Sequence, residues 1–194
     1  MDLQLHGTTA FISGSTRGIG RAVASRLAAE GARVVVNGRT QETVDALVAD
    51  LRRAHPGADH RGIVADFADP ASVRSLVDEL GDVDVLVNNV GLFGLAELES
   101  VTDDEWMRYL EVNLMSGVRL SRQVLPRMLE RGRGRIVFIS SESGVNVPAD
   151  MIHYGVTKAA MIALGNGLAK RTRGTAVTVN TVLGGPTFSD GVAA

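Results

Sequence analysis

The sequence predicts a three-layer α/β fold, a doubly wound parallel sheet with helices on both faces. Two observations carry that prediction. Short β-prone runs alternate with helix-forming stretches along the whole chain, the pattern of a parallel sheet with right-handed crossovers. The first such run also leads straight into a glycine-rich turn and a helix, the context a nucleotide-phosphate site needs.

Composition bounds the rest. With 194 residues and 45% hydrophobic content, the chain is expected to form a single domain, 1–194, with its own core. A net charge of −2 leaves no electrostatic footprint for nucleic acid or an anionic membrane. Cysteine is absent, so disulfides and thiolate chemistry are excluded, which fits a reducing compartment. Met1 to Gly7 carries no basic region and no apolar run, so no signal peptide is expected. No segment approaches the length of a membrane span, and a cytoplasmic protein is the expectation.

The elements follow in order. Thr8 to Ile12 is the first strand. Ser13-Gly14-Ser15-Thr16-Arg17-Gly18-Ile19-Gly20 is the turn, and a helix runs from Gly18 to about Glu30. Gly14 permits the tight turn, Gly18 lets the backbone approach a pyrophosphate, and Gly20 allows close helix–strand packing. Arg33 to Asn37 is the second strand. An acidic residue at its end would bind the 2′-hydroxyl of NAD, but the chain reads Asn37-Gly38-Arg39-Thr40. Arg39 and Arg17 can instead fork onto a 2′-phosphate, which predicts NADP(H). The alternative for both is a solvated surface role.

Thr40 caps a helix to about Ala54, and Arg61 to Ala65 is the third strand, closing on Asp66, placed to meet an adenine edge. Asp69-Pro70 opens a third helix as N-cap and first-turn proline. Val83 to Val87 is the fourth strand, ending in Asn88-Asn89-Val90-Gly91. Strands one and four flank the switch point of such a sheet, so the two glycine-bearing ends should share one crevice. Thr102 to Glu105 is a capping box that starts a long helix through Asn113 to about Arg131, which Pro126 is expected to bend. Arg135 to Ile139 is the fifth strand, with Ser141 just beyond its C-terminal end, and Thr175 to Val182 is the sixth.

Tyr154-Gly155-Val156-Thr157-Lys158 opens the last helix, from Met151. Residues four apart share a helix face, so the phenol and the ammonium point into one space. A nearby cation lowers a phenol's pKa, making Tyr154 a usable proton donor and acceptor. Other chemistries find little support. His6, His55, His60 and His153 show no metal-ligand spacing, and Ser141 lacks the Gly-x-Ser-x-Gly elbow of a hydrolase.

With these motifs in order, the sequence resembles the short-chain dehydrogenase/reductase family from about Leu5 to Ser189. Four features carry it: Gly14-x-x-x-Gly18-Ile19-Gly20, Asn88-Asn89-Val90-Gly91, Ser141, and Tyr154-x-x-x-Lys158. The resemblance implies a Rossmann-like fold and catalytic roles for Asn113, Ser141, Tyr154 and Lys158. Tyr154 would exchange a proton with the substrate oxygen, which Ser141 holds. Lys158 would lower the Tyr154 pKa and bond the nicotinamide ribose, and Asn113 would support a water chain to Lys158. It implies cofactor contacts at Gly14, Ser15, Arg17, Gly18, Ile19, Gly20, Arg39, Asp66, Phe67, Asn89, Gly91, Tyr154, Lys158, Gly185, Pro186 and Thr187.

The resemblance further implies NADP(H) as preferred cofactor, with NAD(H) open, a small carbonyl or alcohol as substrate, and a homodimer or homotetramer. Departures are Val90 for the usual alanine, Gly184 for a common proline, and Ser189 for a carboxamide-anchoring threonine. The family's substrate-covering loop and seventh strand are expected to be absent, leaving the sixth strand as an apolar edge. The reading is an NADP(H)-dependent ketone/alcohol oxidoreductase. The alternative is a non-catalytic NADP(H)-binding sensor or partner-binding module of the same fold. A sugar-nucleotide epimerase is disfavoured, because its Gly-x-x-Gly-x-x-Gly loop and larger C-terminal domain are missing.

Overall fold

A computed structural model describes residues 3–187. Among these, six strands form one parallel sheet in the order β3-β2-β1-β4-β5-β6. They are Thr9–Ile12 (β1), Arg33–Gly38 (β2), Arg61–Val64 (β3), Val85–Asn88 (β4), Gly134–Ser141 (β5) and Val177–Gly184 (β6). The order reverses between β1 and β4, so the C-terminal ends of these two strands open the crevice expected from the sequence.

Helices Gly18–Ala29 (α1), Gln41–Ala54 (α2), Pro70–Leu80 (α3), Asp103–Tyr109 (α4), Ser116–Glu130 (α5) and Ile152–Arg171 (α6) connect the strands. Their starts follow the capping chemistry of the sequence. Thr40 accepts from the Thr43 amide, Asp69 from Ala71 ahead of Pro70 at the first turn, and Thr102 from Glu105. Pro126 lies inside α5. The expected single helix through Asn113 is broken upstream of that proline by a π-helical turn, Leu110–Met115, between α4 and α5. Such turns are often found at functional sites.

Side chains of β1 alternate between two cores, as the two-residue period of a strand requires. Ala10 and Ile12 join Val34, Val36, Val85 and Val87 beneath α1 and α2. Phe11 joins Val35, Leu86, Ile136 and Phe138 beneath α3, α5 and α6. Fully burying each large apolar side chain contributes about 1.5–3 kcal/mol, which fixes the sheet beneath the crevice.

Two strand ends differ from expectation. Asp84, expected inside the fourth strand, instead ties the strand bases together: its carboxylate accepts from the Thr9 amide at 3.0 Å and its amide donates to the Thr9 carbonyl at 2.8 Å. The fifth strand continues through Ser141, pairing with Gly184, so Ser141 is held by the sheet and not by a loop. Among the described residues β6 is an edge, with Val182 and Leu183 exposed on it. Ser189 lies outside the described residues.

Candidate active site and nucleotide cleft

Gly14 (φ +62°) and Gly18 (φ +54°) adopt the left-handed conformation that glycine takes without cost, which turns the chain sharply into α1. A Cβ at Gly20 would come within 2.4 Å of the Gly14 carbonyl oxygen, so only glycine permits this packing. Arg17 occupies the N-cap of α1 without a side-chain cap, and the first turn carries no acidic residue. The helix therefore presents free amide donors and the positive end of its dipole at the crevice.

Two side chains that sequence reasoning passed over set this loop. The Asn37 amide oxygen accepts from the Gly14 amide at 2.9 Å, and its nitrogen donates to the Ile63 carbonyl at 3.1 Å. Ser13 Oγ accepts from the amides of both Asn89 (2.9 Å) and Val90 (3.0 Å). The sequence signal was a small polar residue ending a buried strand, where its own strand leaves it no hydrogen-bond partner.

Several residues expected to contact cofactor have side chains already committed to the protein. Ser15 is buried and its hydroxyl accepts from the Asn37 amide at 2.8 Å. The Asn89 amide donates to the carbonyls of Ser13 (2.9 Å) and Gly14 (3.1 Å), tying β4 to the glycine turn. The Phe67 ring is part of the core, which leaves only its main chain to the crevice. Asp66 accepts from the Ala68 amide at 2.9 Å in an Asx turn.

Other expected residues present unused groups. Arg17 and Arg39 are exposed, and neither guanidinium forms a hydrogen bond or ion pair with the described residues. Ile19 is exposed beside them. Gly185, Pro186 and Thr187 follow β6 as an exposed turn in which Thr187 donates to the Gly185 carbonyl at 2.9 Å. A Cβ at Gly185 would meet Glu142, placing this turn beside the end of β5.

The four residues expected to be catalytic converge. Lys158 is buried, its Nζ 5.5 Å from the Tyr154 ring centroid, on the same side of α6. Nζ donates to the Ile139 carbonyl at 2.9 Å. A Cβ at Gly91 would lie 3.5 Å from Lys158 Nζ and 3.6 Å from Asn113 Oδ1, which brings the end of β4 onto the pair. Asn113 is fully buried. Its Oδ1 accepts from the Leu92 amide at 2.7 Å, and its nitrogen donates to the Leu92 carbonyl (3.0 Å) and to Thr157 Oγ1 (3.0 Å). Thr157 in turn donates to the Tyr154 carbonyl at 2.7 Å. The Asn113 side chain is thus a clamp between the β4 loop and α6, and any water contact falls to its main chain.

The electrostatics correct one expectation. Burial, not the cation, dominates the phenol: it pushes the Tyr154 pKa above its usual value, and a hydrogen bond with Ser141 pulls it partly back. Burial also lowers Lys158, to about 8. The ammonium thus gives up charge stability of its own and does not outweigh the desolvation of the phenol.

Comparisons with known proteins give the family and the fold. Residues 8–194 match the family model for short chain dehydrogenase. The chain is 50% identical to the uncharacterized oxidoreductase YvrD of Bacillus subtilis (strain 168), over 100% of this chain and 73% of that protein. It is 35% identical to the 3-oxoacyl-[acyl-carrier-protein] reductase FabG of Escherichia coli (strain K12), over 94% of this chain and 75% of that one. A crystal structure from Beutenbergia cavernae, described as an NAD(P)-dependent gluconate 5-dehydrogenase with bound NADP at low occupancy, superposes with a TM-score of 0.92. It is 35% identical and spans 100% of this chain and 78% of its own. A six-stranded parallel sheet, an uncapped glycine turn at its switch point, and a Tyr154/Lys158 pair beside it accompany a family match over nearly the whole length: the chain belongs to the short-chain dehydrogenase family of oxidoreductases.

Proposed function

We propose that this chain is an NADP(H)-dependent oxidoreductase that interconverts a ketone and a secondary alcohol, with Tyr154 as general acid and base. The observation that carries the reading is the convergence of Tyr154 and the buried Lys158 with Gly91, at the crevice where α1 presents its free N-terminus. The residues present fit the cofactor. Gly20 lets α1 pack closely on the glycine turn, which leaves the uncapped α1 amides to phosphates, and the exposed, unpaired Arg17 and Arg39 supply guanidinium groups for a 2′-phosphate. The solved relative with bound NADP supports the same choice.

When bound, the reduced nicotinamide supplies the hydride; the chain's own residues do the rest. Arg17, Arg39 and the α1 amides would hold the cofactor's phosphate groups, and Lys158 would bond its ribose. Ser141, fixed in β5, orients the substrate oxygen toward Tyr154. In reduction the carbonyl carbon gains the hydride and its oxygen gains the Tyr154 proton; oxidation runs the same transfers backwards. A phenol, all the more one raised by burial, carries its proton at neutral pH, so Tyr154 has a proton to give in the reducing direction. Relatives named for 3-oxoacyl and sugar-acid substrates support a carbonyl reaction without choosing among carbonyls.

The test is NADPH oxidation against a panel of ketones, using NADPH deuterated at the transferred position. Deuterium at the carbinol carbon, with NADPH preferred over NADH and the preference lost in Arg17→Ala/Arg39→Ala, is the expected result. NADPH binding without oxidation of any ketone would assign the chain to the non-catalytic nucleotide-binding class instead.

A further inference from the structure

The loops that follow β4 and β5 carry side chains the mechanism does not use. Phe93 (55% exposed) and Leu95 (73%) come directly after Gly91, and Val145 (72%) follows Ser141. Val147 packs on Gly155 beside Tyr154, where a Cβ would meet it at 2.6 Å. The Ala96 amide donates to the Asp150 carbonyl at 2.8 Å, so the two loops are joined into one surface next to the Tyr154 turn.

Charge on this surface has one sign. Residues 91–103 and 141–153 contain no lysine or arginine. Their carboxylates Glu97, Glu99, Asp103, Glu142 and Asp150 are exposed, and none forms an ion pair among the described residues. An anionic substrate crossing these loops toward Tyr154 would therefore meet uncompensated negative charge before it reached Lys158, the buried ammonium beside the phenol, which already donates to the Ile139 carbonyl. An uncharged molecule would meet apolar side chains instead.

We propose that the substrate of this site is an uncharged ketone or secondary alcohol with an apolar body, bound across Phe93, Leu95 and Val145, and that carboxylate-bearing substrates are rejected by the acidic rim. This rests on the oxidoreductase reading above and adds the substrate class. The rim discriminates by repulsion and the apolar floor by burial, which is how a site favours one ligand over its isostere.

The test uses a matched pair, 4-oxononanoate and its primary amide, which share a ketone and chain length and differ in charge. Calorimetric titration into the chain, with and without NADP⁺, reads affinity independently of turnover. The amide is expected to bind at least ~10-fold more tightly at low ionic strength, with the gap narrowing as salt is added. Glu97→Gln/Asp150→Asn should close much of that gap by strengthening the carboxylate, and Leu95→Ser should weaken both compounds. Equal affinity, or tighter binding of the carboxylate, would overturn the proposal. So would failure of both to bind, and a concentration-dependent mass by light scattering that Leu95→Ser abolishes would then give the surface to a second copy. Amide binding without NADPH oxidation would keep the preference of this surface for uncharged, apolar ligands and remove the oxidoreductase reading, so the two failures are distinct.

Discussion

The ammonium of Lys158 donates to the carbonyl oxygen of Ile139 at 2.9 Å. That carbonyl sits in β5 two residues before Ser141, so one hydrogen bond sets the spacing between the α6 cation and the sheet-borne serine. Among the described residues no carboxylate pairs with it, and burial brings its pKa to about 8. A cation buried in this way is held at a cost to the fold.

That cost is measurable. The folded-state pKa lies below the unfolded value, so the unfolded chain binds the extra proton between about pH 8 and the ordinary lysine range. Stability from this group is therefore lowest below pH 8 and rises with pH through that window. Lys158→Met should raise stability at pH 7 by on the order of 1–3 kcal/mol while abolishing turnover, and should flatten the rise above pH 8. Urea unfolding at pH 7 and pH 9.5 checks both signs.

Asn113 should behave in the opposite way. Asn113→Leu fills the same space but leaves the amide and carbonyl of Leu92 without their partner and frees Thr157 Oγ1. A loss of about 2–4 kcal/mol is expected, with faster hydrogen exchange at the Leu92 amide. An unchanged Leu92 exchange rate would show that the clamp does not hold the β4 loop.

His60 predicts acid sensitivity far from the site. It is fully buried at the base of β3, and its Nδ1 accepts from the Val34 amide at 3.1 Å. Burial, then the charges of His55 and Arg52, hold its pKa below the usual histidine value. The unfolded chain thus takes up the proton first as pH falls through about 6.5, and stability present above that pH is lost below it. His60→Gln, whose amide oxygen can still accept from Val34, should lose stability less steeply between pH 6.5 and 5 in thermal unfolding.

Much of this fold was legible in the sequence because its signals are local. Thr40, Asp69 and Thr102 cap the helices they announce, and the apolar runs at Val34–Val36 and Val85–Val87 supply buried strands. The shared face of Tyr154 and Lys158 was legible too, since helix period dictates it, whereas the place of Asn113 and Gly91 beside them came from the family resemblance. What stayed hidden depends on three-dimensional partners. Ser15 and Asn89 read as cofactor contacts but spend their side chains on Asn37 and the Ser13–Gly14 turn. The π turn at Leu110–Met115 has no one-dimensional signature, and the sign of the Tyr154 shift follows from burial that only packing reveals.

The most direct measurement of the central claim is the turnover number of Tyr154→Phe with NADPH and a ketone that the wild type reduces. The phenyl ring keeps the place of the side chain on α6 and removes only the hydroxyl, with its proton and its hydrogen bond to Ser141. The account predicts a fall in kcat of about 10²–10⁴-fold with NADPH affinity little changed. Turnover equal to the wild type would contradict it.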